Sequence, residues 1–441
     1  MSKLAKLKKF APMRLVGAAK RRAAIKVRAL QYQLDRSRPL ANAVLFESFQ
    51  GKVIGDSPFD IFLGLQQARP DLKFIWVTAP ATKAPAGSTG VSYGSRAYLR
   101  ALATSKYLVN NSNFPPYFRK ASGQVYLQTW HGTPLKRLGR DINQNNLTKS
   151  YLDTMDREAK AWDYLISPNA FCTEIFPSCF GYRGEILETG YPRNDKLSNA
   201  TAAERQRIRE SIGVSDPSVT LVMYAPTWRD YSRTATGNWQ SVFYLDENMQ
   251  LPEGFKLMYR GHTNTHESHK DGGHARFIDV TRYPNITDLY LAADALITDY
   301  SSVMFDYTVT GKPIIFMTPD LERYRAERGF YFDFEAMAPG PILQRDAEVV
   351  AALAQAGELQ RHHVDPVEQV LAELPLGDHH LEVAVRGGDH ALAGTSVAPR
   401  VDALGLARQR RALASTEGAA RGRWHFANNG WGDDGDRKSV V

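Results

Sequence analysis

The sequence predicts an α/β fold with two doubly wound, mainly parallel sheets that face a common cleft. From residue 41 onward, short apolar runs alternate with helix-length segments, which is the rhythm of successive βαβ units. The runs are continuously apolar rather than alternating, as expected for strands that are covered on both faces. With 441 residues, 43% of them hydrophobic, the chain is long enough to form two domains with sizeable cores.

Apolar runs predict the strands of each sheet. The first sheet is expected to use AVLFES, FIWVTA, YLVNNS, VYLQTW, YLISPN and ILETG. The second is expected to use TLVMYAPTW, KLMYRGH, FIDVT, ALITDYSS and PIIFMTP, with its first strand at Thr220–Tyr224. The polar stretch YPRNDKLSNATAAERQRIRES separates the two groups, so we expect domains at 39–195 and 196–365.

The basic charge is concentrated in an N-terminal helical arm, residues 1–38. This arm carries 12 Lys/Arg and one acid, a net +11, which leaves −3 for the remainder of a chain whose net charge is +8. Apolar residues such as Leu4, Leu7 and Phe10 are interleaved with the cations, as in helices that lie on anionic membrane surfaces. The alternative is a helix packed on the first domain through its apolar face. The mildly acidic body argues against nucleic-acid binding.

Several protein classes are excluded or disfavoured by composition. No run of 18 apolar residues occurs, so no bilayer-spanning helix is expected, and no secretory signal is recognisable. The two cysteines, Cys172 and Cys179, are expected to be reduced thiols of a cytoplasmic protein rather than a local disulfide or half a metal site.

From Glu335 to Arg423 no Phe, Trp or Tyr occurs. Residues 366–441 are therefore predicted to be disordered or loosely helical, although a shifted reading frame gives the same composition.

Polar clusters follow the predicted strands at their carboxyl ends. Ligands of open α/β sheets bind beyond these ends, so the clusters are expected to converge on one crevice between the sheets. The candidate substrate-binding residues in these clusters are Thr133, Lys136, Thr227, Arg229, Arg260, Asp299, Ser301 and Ser302.

The chemistry of these clusters indicates phosphate binding. Arginine and lysine supply positive charge, and Ser301 and Ser302 begin a helix, SVMFDYTVTG, that Gly311 is expected to end. A helix N-terminus offers free N–H groups to a phosphate, although capping alone would also explain either serine. His131 and His262 are candidate acid–base residues, because histidine titrates near neutral pH.

Metal and cofactor chemistry is not indicated. The segment HTNTHESHKDGGH holds further histidines, but their spacing matches no familiar zinc site and a polar loop is the favoured interpretation. The body of the chain has no Walker A loop, no strand-linked Gly-x-Gly-x-x-Gly and no Asp-x-Asp. We therefore expect no metal and no cofactor.

The motifs resemble those of the CDP-glycerol glycerophosphotransferase family, the primases and polymerases of teichoic acids. The matching segments extend from Val44 to Phe334 and are LFESFQGK, YLVNNSNFPPYF, YLQTWHGTPLKRLG, YAPTWRD, YRGH, ITDYSSVMFDY, GKPIIFM and ERGFYFDF. The resemblance implies a GT-B architecture, with two Rossmann-like domains facing a cleft. It also implies that His131 is the histidine of the family's HGTP segment and His262 that of its Arg-x-His segment.

The resemblance implies transfer of glycerol phosphate from CDP-glycerol to a hydroxyl of a membrane-bound, lipid-linked acceptor, with release of CMP. His131 is then the expected general base, and the donor domain is the second one. We expect a peripheral enzyme on the cytoplasmic face of the membrane. Three alternatives stay open: a CDP-ribitol transferase, a nucleotide-sugar transferase of the same architecture, and a membrane-surface scaffold without turnover.

Overall fold

The computed structural model of the protein describes residues 22–80, 82–142, 149–227, 229, 244–245, 249–261 and 277–361. Within these ranges the chain forms two sheets with helices packed on them, and every strand pair in both sheets is parallel. The predicted fold class is therefore confirmed. His262, the histidine-rich segment that follows it and the predicted tail lie outside the described residues.

The first sheet has seven strands in the order β3-β2-β1-β4-β5-β6-β7. Its strands are β1 (Ala41–Glu47), β2 (Lys73–Thr78), β3 (Thr89–Ser92), β4 (Ser105–Asn110), β5 (Val125–Gln128), β6 (Tyr164–Ser167) and β7 (Glu185–Glu188). The accompanying helices are α1 (22–35), α2 (Asp56–Ala68), α3 (Arg96–Thr104), α4 (Lys149–Ala159) and α5 (Ala170–Phe180). Leu45 packs into the core on one face of this sheet, while Val44 and Phe46 pack into the core on the other.

The second sheet has six strands in the order β10-β9-β8-β11-β12-β13. Its strands are β8 (Thr220–Ala225), β9 (Phe255–Tyr259), β10 (Phe277–Asp279), β11 (Ala295–Thr298), β12 (Ile314–Met317) and β13 (Ile342–Leu343). The helices of this half are α6 (Asp195–Asn199), α7 (Ala202–Ser211), α8 (Ile286–Ala292), α9 (Val303–Tyr307), α10 (Leu321–Arg328), α11 (Phe334–Met337) and α12 (Asp346–Arg361). In each sheet the strand order reverses beside the first strand, which is where doubly wound folds bind ligands.

Both edge strands that sequence patterning missed are short. The strand β3 reads TGVS and β13 has only two residues, so neither contains an apolar run. The other eleven strands coincide with the predicted runs, because a buried parallel strand needs apolar residues on both faces. Gly311 ends the predicted helix after the serines in a left-handed conformation, with φ of 67°. The two cysteines of α5 are buried and unbridged.

The last turns of the predicted arm are part of the first domain. Tyr32 of α1 is fully buried, and its hydroxyl donates to the carbonyl of Arg119 at 2.7 Å. Asp35 is also buried and pairs with Arg96 of α3 and with Arg38. The end of the helix thus packs on the domain through Tyr32 and through Asp35, whose two arginine partners are half exposed.

Two buried carboxyl groups lie inside the first domain. Glu47, at the end of β1, is fully buried, and neither of its carboxyl oxygens has a hydrogen-bond partner among the described residues. Burial raises its pKa to about 8, and the neighbouring charge of Glu158 adds to the effect. Burial also raises the pKa of Glu158 to about 7. Burial favours the protonated state of both carboxyl groups, and more strongly for Glu47, because Glu158 contacts Arg157 at 3.3 Å and accepts a hydrogen bond from N–H of Phe114.

Glu47 should make the folded protein less stable as pH rises. Its folded pKa lies above its unfolded value, so the stabilisation is complete below about pH 4.5 and is lost as pH rises through about 8. The neutral variant Glu47→Gln should therefore gain on the wild type by about 1 kcal/mol of unfolding free energy per pH unit between pH 5 and 8. Urea unfolding at several pH values measures the gap. The control is Glu322→Gln, at a side chain that is 82% exposed. The prediction would be contradicted if the difference in unfolding free energy from the wild type did not change with pH for either variant.

Candidate active site

The strand-end clusters of the two sheets meet at Gly132 and Ser302. Gly132 follows β5 of the first sheet, and Ser302 follows β11 of the second. A Cβ atom at position 132 would lie 2.8 Å from Oγ of Ser302, closer than real contacts allow. Glycine is therefore the residue that lets the HGTP segment, residues 131–134, approach the serine turn. The predicted convergence is present for these two clusters.

His131 lies beside this contact with one ring nitrogen already engaged. Its Nδ1 is 2.6 Å from the carbonyl oxygen of Asn111, which follows β4. A carbonyl only accepts hydrogen bonds, so Nδ1 carries the proton and Nε2 carries the lone pair of the neutral ring. The rings of Trp130 and Phe49 pack on the imidazole at centroid distances of 4.2 and 5.5 Å.

The environment of His131 favours the neutral imidazole. Burial lowers its pKa from the ordinary value of 6.5, and the charge of Arg193 lowers it further. The bond to the Asn111 carbonyl and the charge of Asp56 oppose this shift without reversing it. A neutral imidazole with Nε2 unprotonated is the form that a general base requires at pH 7.

Asn111 is fixed by three side-chain hydrogen bonds. Its Nδ2 donates to Oδ2 of Asp56 at 2.9 Å and to Oγ of Ser48 at 3.1 Å. Its Oδ1 accepts from the backbone N–H of Phe49 at 2.9 Å. The carbonyl that binds His131 therefore belongs to a residue whose side chain is held by three hydrogen bonds.

Strained backbone surrounds His131. The non-glycine residues with left-handed backbone in the described ranges are Phe49, Gln50, Asp56 and Trp130, with φ of 46°, 60°, 62° and 54°. Two of them contact His131 through their rings, and a third bonds to Asn111. Each such residue costs on the order of 1–3 kcal/mol, and strain of this kind concentrates at functional sites.

Sequence patterning missed Arg193, which joins the two halves of the protein. It follows β7 and is 3% exposed. Its guanidinium donates to Asp56 of the first half at 2.8 Å and to Asp306 of α9 at 2.8 Å. Asn194 adds a 2.8 Å bond to Asp306. The available signal was its place after a strand end in YPRND, a segment that we interpreted as the domain seam.

A second connection is a backbone ladder that follows the HGTP segment. The carbonyl of Leu135 accepts from N–H of Tyr331 at 3.0 Å, and N–H of Arg137 donates to the carbonyl of Gly329 at 3.2 Å. Lys136 lies between them and forms the bridge to Phe330, with its Nζ 5.8 Å from the ring centre of Tyr324. The cations after the HGTP segment thus lie in the contact between the two domains.

Thr133 and Thr227 are buried candidate binding residues; Thr133 follows β5 of the first sheet, and Thr227 follows β8 of the second. Thr133 is 3% exposed and contacts the thiol of Cys172. The backbone of Thr227 is held on both sides, since its N–H donates to Asp299 at 2.9 Å and its carbonyl accepts from Arg229 at 2.6 Å. Its hydroxyl is buried with no partner among the described residues.

Arg229 and Asp299 form a buried ion pair instead of presenting a free cation. Arg229 is fully buried, lies 2.9 Å from Asp299, and donates two hydrogen bonds to Asp320 at 2.7 and 3.0 Å. The rings of Tyr300 and Tyr324 cover its guanidinium at 4.8 and 4.9 Å. We expected Arg229 to bind a phosphate of the substrate. In the structure its positive charge is instead paired with the carboxylates of Asp299 and Asp320.

The remaining candidates of the second domain lie around the cleft. Ser301 and Ser302 are partly exposed, and Oγ of Ser301 accepts from N–H of Val303 at a long 3.4 Å, so capping accounts for little of their role. Nη1 of Arg260 donates to the carbonyls of Val280, Thr281 and Tyr283 at 2.6–2.9 Å. Burial lowers the pKa of Arg260. His262 lies outside the described residues.

Comparison with known proteins identifies the family. A model of the family "CDP-Glycerol:Poly(glycerophosphate) glycerophosphotransferase" matches residues 30–373. The chain belongs to this family. The resemblance predicted from the motifs is thereby confirmed, as is the assignment to the transferases.

Named relatives and solved structures agree with this assignment. The teichoic acid poly(glycerol phosphate) polymerase of Bacillus spizizenii is 39% identical over 70% of this chain and 82% of its own length. The teichoic acid glycerol-phosphate transferase of Staphylococcus aureus is 36% identical over 76% of this chain and 89% of its own. Against the Bacillus subtilis polymerase, the match spans 43% of the relative's length. The wall teichoic acid polymerase TagF superposes with a TM-score of 0.71 and 32% identity, over 84% of this chain and 93% of that one.

The buried position of Arg229 predicts a structural effect of its removal. Arg229→Ala should lower the free energy of unfolding by about 3–5 kcal/mol, because it leaves Asp299 buried without its cation and removes two hydrogen bonds from Asp320. Chemical denaturation measures the loss. The matched control is Arg345→Ala, which breaks an exposed pair with Glu348 and should cost under about 1 kcal/mol. If Arg229→Ala left stability unchanged but abolished nucleotide binding, Arg229 would instead be a ligand of the nucleotide.

Proposed function

We propose that the protein transfers glycerol phosphate from CDP-glycerol to a hydroxyl of a lipid-linked acceptor in teichoic-acid synthesis. The observation that carries this proposal is the contact of the His131–Gly132 segment with Ser302 in a chain of this family. It brings a neutral base from one sheet to a polar turn of the other. That is the arrangement needed to attack a phosphate held by the second domain.

His131 acts as the general base in this proposal. Its Nε2 takes the proton of the acceptor hydroxyl while the oxygen attacks the phosphorus that carries glycerol. A new O–P bond forms, the bond from that phosphorus to the bridging oxygen breaks, and CMP leaves with the electron pair. His131 then holds the proton, with Nδ1–H still bonded to Asn111. Such transfers depend mainly on positioning and on stabilising charge.

The second domain holds the donor. Ser301, Ser302, Thr227 and Arg260 are proposed to bind the pyrophosphate and ribose, with Thr133 and Lys136 completing the site from the first domain. Arg229 and Asp299 contribute by fixing the backbone of Thr227 from both sides. His262, which the motif resemblance places near Arg260, is proposed to assist in stabilising the developing charge.

His131→Ala tests the base assignment. Turnover should fall by about 10²–10⁴-fold, while CDP-glycerol binding measured by calorimetry should remain. Because the neutral ring is the active form and its pKa is lowered from 6.5, wild-type turnover should stay on a plateau at pH 7 and fall only as the pH drops below about 6.5. The assay is CMP release with CDP-glycerol and a lipid acceptor. Near-normal release by the variant would remove His131 from the mechanism.

The donor is identified by parallel arms of the same assay. CDP-ribitol and a uridine-linked sugar replace CDP-glycerol at equal concentration. Turnover with CDP-glycerol alone supports the proposed donor, and turnover with either of the others selects the corresponding alternative. Binding without turnover on every acceptor would favour the scaffold.

Among the described residues, no helix is both long and apolar enough to cross a bilayer. We propose instead that α1 holds the enzyme on an anionic membrane surface. Val27, Leu30 and Leu34 are 55–64% exposed and follow one another at helical spacing along one face. Lys26 and Arg28 flank them, and such cations are attracted to acidic lipid.

Point substitutions in α1 test membrane association better than deletion of residues 1–38, which would also remove buried Tyr32 and Asp35. Leu30→Ser combined with Leu34→Ser should weaken binding to anionic vesicles about tenfold or more, because each leucine loses burial in the headgroup layer. Leu63→Ser, at an apolar residue of α2 that is 43% exposed, is the control. Co-sedimentation across a salt series measures both, and binding should fall as salt rises. Equal sedimentation of all three proteins would contradict the proposal.

A further inference from the structure

Two hydrogen bonds to different groups of Asn111 connect His131 to a carboxylate that does not touch it: the backbone carbonyl of Asn111 binds the imidazole, and its side-chain amide binds the carboxylate. Nδ1 of His131 donates to the carbonyl of Asn111 at 2.6 Å. The side chain of Asn111 donates to Oδ2 of Asp56 at 2.9 Å. The other carboxylate oxygen of Asp56 accepts from N–H of Ser57 at 2.5 Å and from Arg193 at 2.8 Å. Asp56 is therefore held by three donors at the start of α2.

We infer that Asp56 is a positioning residue for the general base, acting on His131 through Asn111. It holds the Asn111 amide, and the Asn111 carbonyl in turn holds the imidazole with Nε2 towards the reacting hydroxyl. The inference rests on the proposed function in one respect: His131 must be the base. The arrangement resembles a catalytic triad in its roles, with a backbone carbonyl between carboxylate and imidazole.

The backbone geometry supports this assignment. Asp56 has a left-handed conformation, with φ of 62°, that a non-glycine residue adopts at a cost. A glycine at position 56 would relieve that strain, as the chain has at the preceding position, Gly55. A carboxylate at position 56 instead supplies the acceptor that Asn111 and Arg193 share. The strained residue thus provides the bond on which the orientation of Asn111 depends.

Charge is the second effect of Asp56. When His131 takes a proton it becomes an imidazolium, which the negative charge of Asp56 stabilises and the positive charge of Arg193 opposes. Arg193 lies between Asp56 and Asp306, and Asp60, whose pKa burial raises to about 7, is a further neighbour on which Asp195 and Lys196 also act. Arg193 keeps Asp56 ionised, since its pairing lowers the pKa of Asp56 despite burial. The net field at His131 therefore depends on whether position 56 is charged.

Nuclear magnetic resonance of histidine in the full chain tests the relay without relying on turnover. With ¹⁵N-labelled histidine, the His131 signals are assigned by their absence in His131→Ala. In the wild type we expect the tautomer with the proton on Nδ1. In Asp56→Asn we expect a pKa for His131 lower by about 0.5–1 unit, because the opposite charge is gone and Arg193 is unopposed on that side. An unchanged tautomer population and pKa would overturn the relay even if the chain proved to have another activity.

Turnover supplies the second readout. Asp56→Asn should lower kcat by about 10²-fold, the scale of a misplaced reacting group, and shift the acidic limb of the pH profile to lower pH. A purely structural loss would lower kcat without moving the limb. Asp306→Asn is the matched control: it removes the other carboxylate of Arg193 but has no bond to Asn111. In Asp306→Asn the acidic limb of the pH profile should stay within about 0.3 pH unit of its wild-type position. An equal shift of that limb in Asp56→Asn and Asp306→Asn would overturn the inference.

Asp56→Glu keeps the proposal testable if the asparagine variant does not fold. The glutamate retains the charge beside Arg193, but its longer side chain moves the carboxylate away from Asn111. We expect the His131 pKa to stay within about 0.3 unit of the wild type while kcat falls about tenfold. Full turnover by Asp56→Glu would contradict the positioning role.

Discussion

The buried guanidinium of Arg193 is the constraint on which the relative placement of the two domains depends. Asp56 of the first domain and Asp306 of the second each bind one of its nitrogens at 2.8 Å. A buried cation without both partners would cost several kcal/mol, so separation of the domains at this point would expose or orphan three charges. Because Asp306 belongs to α9, the bridge also fixes the serine turn from which that helix begins. His131 and Ser302 therefore face one another as a consequence of one ion network.

The other domain contacts act at a distance from this bridge and restrict rotation about it. The backbone ladder joins Leu135 and Arg137 to Gly329 and Tyr331, so the segment that follows His131 is hydrogen-bonded directly to the second domain. Tyr331 adds its hydroxyl, which donates to Asp141 at 2.7 Å. A site assembled from two domains needs at least two such connections, since one point of contact leaves a hinge. The residues that directly follow the HGTP segment thus help to join the two domains.

Sequence patterning predicted most of the fold but only part of the site. Eleven strands were predictable because a parallel strand such as β1 must bury five consecutive residues, whereas β3 and β13 bury too few to leave a pattern. His131 and the serines were predictable from their places at strand ends. Arg193 and Asp56 were not, since a buried ion pair between distant segments has the same composition as a solvated surface. For the same reason Arg229 was predicted to be a ligand, although Asp299 and Asp320 neutralise it.

The distribution of strain indicates which side of the cleft is rigid. All four left-handed non-glycine residues of the described ranges lie around His131, in the loops after β1 and β5, and none lies in the second domain. Strained residues persist only where surrounding contacts determine their conformation, here the three bonds of Asn111 and the packing of Trp130 and Phe49. The imidazole of His131, which we propose as the base, is therefore held in place by contacts within the protein. In the second domain the hydroxyl of Thr227 is buried without a partner among the described residues, and Ser301 and Ser302 are partly exposed. The imidazole of the first domain and the serine turn of the second are thus held opposite one another by the buried charges of Arg193, Asp56 and Asp306.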